Sequence, residues 1–231
     1  DLSEKIKKVK NNLKIIYVDA VFSMTGESSN LKELSSIAKE NDALLIVDDA
    51  HGFGVIKSDS KNFPSSLTMY DKADISIDAD IGTFGKAVGE FGSFISGKRD
   101  IIELVIQKSK PYIYSTALPA SLAGTVLESL RYIKKNTSLN KKLSENIGVF
   151  REIAKKENIN VQESVTAIQT IIVGEPKRLK KIQKSALEAG IYVQAIRYPT
   201  VPKNNDLIRI SLTSSHKTKD IERLLYFLKT I

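Results

Sequence analysis

Residues Asp74–Ser96, DISIDADIGTFGKAVGEFGSFIS, place one lysine, Lys86, inside a glycine-rich turn. An apolar run, Ile75 to Ile81, leads in and a second, Phe91 to Ile95, leads out, with Gly82, Gly85, Gly89 and Gly92 between or beside them. Glycine reaches positive φ and lets a ligand come close to the backbone. A lysine between two buried strands is expected to be partly desolvated, which lowers its pKa and makes the neutral amine available as nucleophile or base. Alone, the stretch fits a lysine on a glycine-rich surface loop at least as well. The rest of the chain has to decide.

Upstream, Leu13–Phe22 (LKIIYVDAVF) is a β-branched run of buried-strand type. Ser23–Ser29 reads as a loop, with Ser29 as the expected N-cap of a helix over Leu31–Glu40. Ala43–Val47 is a short strand that ends at Asp48-Asp49-Ala50-His51-Gly52. Strand, helix, strand in that order predicts a parallel sheet, and ligand sites in such sheets lie at the carboxyl ends of the strands. Ser23, Asp48, His51 and Lys86 all fall just after or between predicted strands.

Downstream, Phe53–Leu67 reads as loop, Arg99–Lys108 as helix and Pro111–Thr116 as extended chain. A long helix is expected from Pro119 to Lys135, with the proline in its first turn. The polar stretch Asn136–Asn140 marks a domain boundary, giving residues 1–136 and 137–231. The second part reads as a small α+β domain. It has helices over Leu139–Glu157 and Pro176–Ala189, the latter ended by Gly190, and strands at Ala167–Val173, Ile191–Ile196 and Leu207–Leu212. A terminal amphipathic helix carries Ile221, Leu224, Leu225 and Leu228.

The 231 residues suffice for a real core, and 42% apolar with 7% aromatic residues suits a soluble α/β protein. No cysteine is present, so disulfides, thiolate chemistry and Cys-based metal sites are excluded. With His51 and His216 the only histidines, a His-rich metal centre is not expected. The net charge of +8 comes mostly from scattered lysines, a pattern of solvated helix faces rather than of nucleic-acid binding. It also favours anionic small molecules. No apolar run approaches a membrane span, and the start is unlike a signal peptide, so the chain reads as cytoplasmic. Arginine is scarce, which makes Arg197 and Arg209 stand out.

A lysine able to form a Schiff base and a carboxylate able to hold a pyridinium nitrogen protonated are what pyridoxal 5'-phosphate requires. Val47-Asp48-Asp49-Ala50-His51-Gly52-Phe53-Gly54-Val55 and Thr83-Phe84-Gly85-Lys86-Ala87 resemble signature segments of the α-oxoamine synthases, pyridoxal-phosphate enzymes of the aspartate aminotransferase fold. Val21-Phe22-Ser23-Met24-Thr25-Gly26, Tyr114-Ser115-Thr116-Ala117-Leu118-Pro119 and Pro199-Thr200-Val201-Pro202 match further family segments in the family's order. The resemblance runs from about residue 13 to the end.

The resemblance implies a type I pyridoxal-phosphate transferase fold, with a mostly parallel large domain and a small α+β C-terminal domain. It also implies roles. Lys86 would bear the cofactor and shuttle the Cα proton, and Asp48 would pair with the pyridinium nitrogen. His51 and Ser23 would sit on the phenolic-oxygen side of the ring, and Ala50 against its face. Thr83 would bind the phosphate. Thr116, with Ser115, would reach the phosphate of a neighbouring subunit, which implies a homodimer. Arg197 would clamp the amino-acid carboxylate. Arg209 reads as structural or as support for that clamp, and His216 as packing or capping.

Gln194–Pro202 most resembles the family member that condenses L-alanine with pimeloyl-CoA, or its carrier-protein form, with loss of carbon dioxide. The sister enzyme joining glycine to acetyl-CoA and a non-catalytic partner subunit are the alternatives. Three departures are visible. Family members carry further chain before this start, so the N-terminal part of the large domain is expected to be missing. Thr25 replaces a common Asp, and Ser28-Ser29-Asn30 replaces a more apolar stretch. Lys57–Pro64 lacks an expected arginine-glycine pair.

Overall fold

The protein is described by a computed structural model covering residues 1–10, 13–56, 62–71 and 73–230. Residues 57–61 of the expected Phe53–Leu67 loop, and with them most of the departure at Lys57–Pro64, lie outside the described residues. Two compact units result. The first is Asp1–Val21 with Ser29–Thr137, the second Phe22–Ser28 with Ser138–Ile231.

The first unit holds helix α1 (Leu2–Lys8), strands β1 (Lys14–Asp19), β2 (Ala43–Asp48), β3 (Ala79–Thr83) and β4 (Ser93–Gly97), and helices α2 (Leu31–Glu40), α3 (Arg99–Lys108), α4 (Lys110–Ile113) and α5 (Ala120–Lys135). The strands form one sheet in the order β1-β2-β3-β4. β1–β2 and β2–β3 are parallel, and β4 closes the sheet as an antiparallel edge. On one face Ile16, Leu45 and Val47 pack with Leu31, Ile37 and Ala38 of α2 and with Ile6 of α1. Leu45 and Val47 are wholly buried, each worth about 1.5–3 kcal/mol relative to exposure. The period of two in a strand sends Ile15 and Tyr17 of β1 to the opposite, exposed face.

Several expectations are corrected. Asn30, not Ser29, caps α2: Glu33 N donates to Asn30 Oδ1 at 3.2 Å, while the Ser29 hydroxyl donates to Asp19 O at 2.7 Å. Both residue types cap well, and the end of β1 has claimed the serine. The run from Ile75 does not become strand until Ala79, because the Asp78 side chain takes a ladder position: Leu45 N donates to its Oδ2 at 2.7 Å. Pro111–Thr116 is not extended throughout, since Lys110–Ile113 forms the single-turn α4 with Pro111 at its start, where the missing N–H costs nothing.

The second unit holds helices α6 (Thr137–Lys156), α7 (Pro176–Glu188) and α8 (Thr218–Lys229) and strands β5 (Ile168–Gly174), β6 (Gln194–Ile196) and β7 (Asp206–Ser211). α6 thus begins inside the polar stretch read as a boundary. The sheet is antiparallel in the order β5-β7-β6. Phe150, Leu179, Ile208 and Leu225 form its wholly buried centre. Ile191–Val193, expected as the start of a strand, stays outside β6. The loop Phe22–Ser28 is tied into this unit. Gly26 O accepts from Ser164 Oγ at 2.9 Å and from Thr166 Oγ1 at 3.0 Å, and Arg209 Nε donates to Ser23 O at 2.7 Å.

Candidate active site

Strand ends place the acidic residues. Asp19 and Asp48 are register partners at the carboxyl ends of β1 and β2, and Asp48 pairs in register with Ile81 of β3. By alternation Thr83 shares that face, and Lys86 follows three residues on. The Asp48 carboxylate is half-buried and held at both oxygens. Ala50 N donates to Oδ1 at 2.9 Å and the Tyr17 hydroxyl to Oδ2 at 3.1 Å. Burial first, then the Asp48 charge, raises the Tyr17 phenol above its ordinary value, so it stays a donor. Burial and Asp48 likewise raise the Asp19 carboxyl, while the positive charge of Lys86 pulls it down. Asp19 therefore lies in the field of both Asp48 and Lys86.

Asp49 points the other way. It is 2% exposed, and its Oδ2 accepts from Ser65 Oγ at 2.6 Å and Ser66 N at 3.1 Å. Its Oδ1 and Ser66 Oγ are both buried beside this cluster, and the Ser66 side chain helps hold the carboxylate charge. Burial pushes its carboxyl up, against those hydrogen bonds and with help from Asp80. A Cβ on Gly52 would stand 2.0 Å from Ser66 Oγ and 2.2 Å from Asp49 Oδ1, so only glycine lets the turn carrying Ala50 and His51 close this tightly. Both residues are half-buried there.

The Lys86 turn is closed by Phe84 N to Gly92 O at 2.9 Å, Glu90 N to Phe84 O at 2.8 Å and Gly89 N to Lys86 O at 3.1 Å. Gly92, at φ +109°, occupies backbone that a side chain would strain. Lys86 itself is exposed in this chain. That corrects the expectation of a lysine desolvated between two strands, because the turn projects past the strand ends and its glycines carry nothing to cover it. The Thr83 hydroxyl donates to Gly92 O at 3.2 Å and accepts from Gly85 N at 3.2 Å, so its proton braces the turn.

Asp48, Ala50, His51, Thr83 and Lys86 thus belong to one strand edge of the first unit. Ser115 and Thr116 are exposed between α4 and α5. Ser23 and Arg197 belong to the second unit. Arg197 is exposed, and its Nη2 donates to Gln183 Oε1 at 3.1 Å. Arg209 is half-buried, and its remaining bonds go to Gln194 Oε1 at 3.1 Å and Ser211 Oγ at 2.7 Å. His216 Nδ1 accepts from Thr213 N at 3.1 Å, ordering the turn before α8. Sequence reasoning missed Tyr17 and Asp19. The signal was the alternation of β1, Ile15-Tyr17-Asp19 on one face, combined with a parallel partner ending in Asp48.

A model of the family described as aminotransferase class I and II matches residues 1–228. The 8-amino-7-oxononanoate synthase of Saccharophagus degradans is 37% identical over 226 residues, 97% of this chain and 56% of that protein. A serine palmitoyltransferase solved with pyridoxal 5'-phosphate superposes with a TM-score of 0.89 at 25% identity, covering 100% of this chain and 57% of that one. The 8-amino-7-oxononanoate synthase of Francisella tularensis superposes with a TM-score of 0.83 at 26% identity, covering 100% of this chain and 66% of that one. The chain spans about half the length of the curated relatives it matches.

Proposed function

The chain belongs to the class I and II aminotransferase family, in its α-oxoamine synthase branch, and on that premise we propose that it forms the cofactor-holding part of an 8-amino-7-oxononanoate synthase. It has the fold of the pyridoxal-phosphate-dependent transferases. The reaction would join L-alanine to a pimeloyl thioester, with loss of carbon dioxide and of the thiol, in biotin synthesis.

The residues present fit pyridoxal 5'-phosphate by the chemistry of their donors and acceptors. Asp48 is an aimed carboxylate at the end of a central parallel strand, with Ala50 N and the Tyr17 hydroxyl fixing its two oxygens. Each oxygen keeps a lone pair for a protonated ring nitrogen. Lys86 offers an amine on an open turn that follows the adjacent strand. When bound, the group supplies an electron sink for a carbanion at the amino acid's Cα.

The chain's own work is to hold and move protons. Asp48 would keep the ring nitrogen protonated, supported by the second negative charge at Asp19. Lys86 Nζ would bear the group and then take the Cα proton as general base. Ala50 would present its methyl to the ring, and His51 and Ser23 would serve the phenolic oxygen. Thr83 would bind phosphate once its hydroxyl turns from Gly92 O. Ser115 and Thr116 would serve the phosphate of a second copy in a homodimer, and Arg197 the substrate carboxylate.

One observation carries the reading: the doubly held Asp48 carboxylate, in register with the strand that runs into Lys86. The full-length protein mixed with pyridoxal 5'-phosphate should develop a visible absorption band, and borohydride should fix the group to the peptide containing Lys86. Lys86→Ala should abolish the label. Asp48→Asn should keep it while turnover falls on the order of 100-fold or more. L-alanine with pimeloyl-CoA should give product where glycine with acetyl-CoA does not. A colourless protein, or a label on another lysine, would sink the proposal.

A further inference from the structure

Arg197 is mounted from two sides within the second unit. Its Nη2 donates to Gln183 Oε1 at 3.1 Å, and the Gln183 amide is itself oriented by its Nε2, 3.5 Å from Val193 O. Gln183 is half-buried on α7, next to the buried Ile182. On the backbone side, Tyr198 N donates to Asp206 Oδ1 at 3.3 Å. Asp206 opens β7 and is 1% exposed, and its Oδ2 has no hydrogen-bond partner among the described residues. Burying a carboxylate so incompletely satisfied is costly. Among the described residues its side-chain bond goes to the amide beside Arg197. The loop between them is short and closed: Thr200 N donates to Arg197 O at 2.9 Å, Asn205 N to Pro202 O at 3.0 Å, and Val201 is buried.

A guanidinium recognises a carboxylate by offering two parallel N–H groups, and that needs the plane of the fork held still. The single bond to Gln183 does this without filling the fork. Whichever of its two protons Nη2 gives to Gln183, one two-donor edge stays open. Arginine otherwise loses much side-chain entropy on binding, and a pre-set rotamer lowers that loss.

We propose that Gln183 and Asp206 are positioning residues for the amino-acid substrate's carboxylate, Gln183 setting the plane of the Arg197 guanidinium and Asp206 the backbone that carries it. This rests on the reading of Arg197 given above. The control for that reading is Arg197→Ala.

The test is initial-rate kinetics on the full-length, cofactor-loaded enzyme, varying L-alanine at saturating pimeloyl-CoA and then the reverse. Arg197→Ala should raise the KM for L-alanine more than tenfold. Gln183→Leu, close in size and at the helix surface, should raise it about tenfold, as expected when a hydrogen bond to a charged group is lost. Asp206→Ala should do the same, and Asp206→Asn, whose amide oxygen still accepts from Tyr198 N, should restore it. The KM for pimeloyl-CoA should stay within about twofold throughout, because only the carboxylate contact is altered. If Arg197→Ala raises the alanine KM but Gln183→Leu does not, the positioning role falls while the reading of Arg197 stands. If both KM values rise together with a drop in melting temperature, the two residues serve the fold alone and the proposal falls. If Arg197→Ala leaves alanine unaffected, the reading beneath it falls.

Discussion

Neighbouring aspartates at the end of β2 have opposite tasks because successive side chains in a strand point to opposite faces. Asp48 meets Tyr17 and Ala50 on the open face, while Asp49 meets Ser65 and Ser66 on the buried one. Burial keeps the Asp49 carboxyl protonated to higher pH in the folded chain than in the unfolded one. Its contribution to stability is therefore full below the unfolded carboxylate range, near pH 4, and declines as pH rises through the folded value. Asp49→Asn removes that decline, because an amide does not titrate in this range. Urea unfolding at pH 4 to 8 should show the variant gaining on the parent as pH rises. A constant offset across that range would contradict the assignment. The pair Asp48-Asp49 was legible as chemistry in the sequence, and the family resemblance pointed to Asp48, but local preferences alone did not say which aspartate faces the open side. That depends on the pleat of a strand whose partners lie far away along the chain.

Among the elements, helices were read from their own residues with little loss. Arg99–Lys108 is helical over the stretch expected, and α8 carries Ile221, Leu225 and Leu228 on its buried side. Errors arose where a side chain from elsewhere competed. Ser29 was drawn off to Asp19 O, leaving Asn30 as the cap. Asn30→Ala should cost about 1 kcal/mol of unfolding free energy, and Ser29→Ala should act through the end of β1. Equilibrium urea unfolding of the two variants separates these effects: an Asn30→Ala variant as stable as the parent would deny it the capping role. Asp78 shortened β3 in the same manner, its carboxylate taking the bond from Leu45 N that a main-chain carbonyl would otherwise accept.

Across the molecule, the loop Phe22–Ser28 leaves the first unit's stretch of chain and is held by the second. Ser164 Oγ is the centre of that hold, its single proton shared between Gly26 O at 2.9 Å and Ile168 O at 2.7 Å, with Thr166 Oγ1 on the same carbonyl of Gly26. Phe22 N and Gly26 N are protected by bonds inside the loop, each 2.9 Å long. Ser164→Ala should raise their hydrogen-exchange rates by about tenfold, roughly the factor for one lost buried hydrogen bond. Unchanged exchange at both amides would mean that the loop does not depend on this anchor. From its amino acids alone the chain specified the order of its elements, the parallel βαβ unit and the glycine-framed lysine, since periodicity, capping and turn chemistry act over a few residues. Only the tertiary structure decided that Tyr17 and Asp19 flank Asp48, that Lys86 is exposed on its turn, and that Gln183 accepts from the Arg197 guanidinium while Asp206 accepts from the next backbone amide, Tyr198 N. Those contacts depend on strand register and on hydrogen bonds between residues 8 to 31 positions apart, beyond the few residues over which local sequence preferences act.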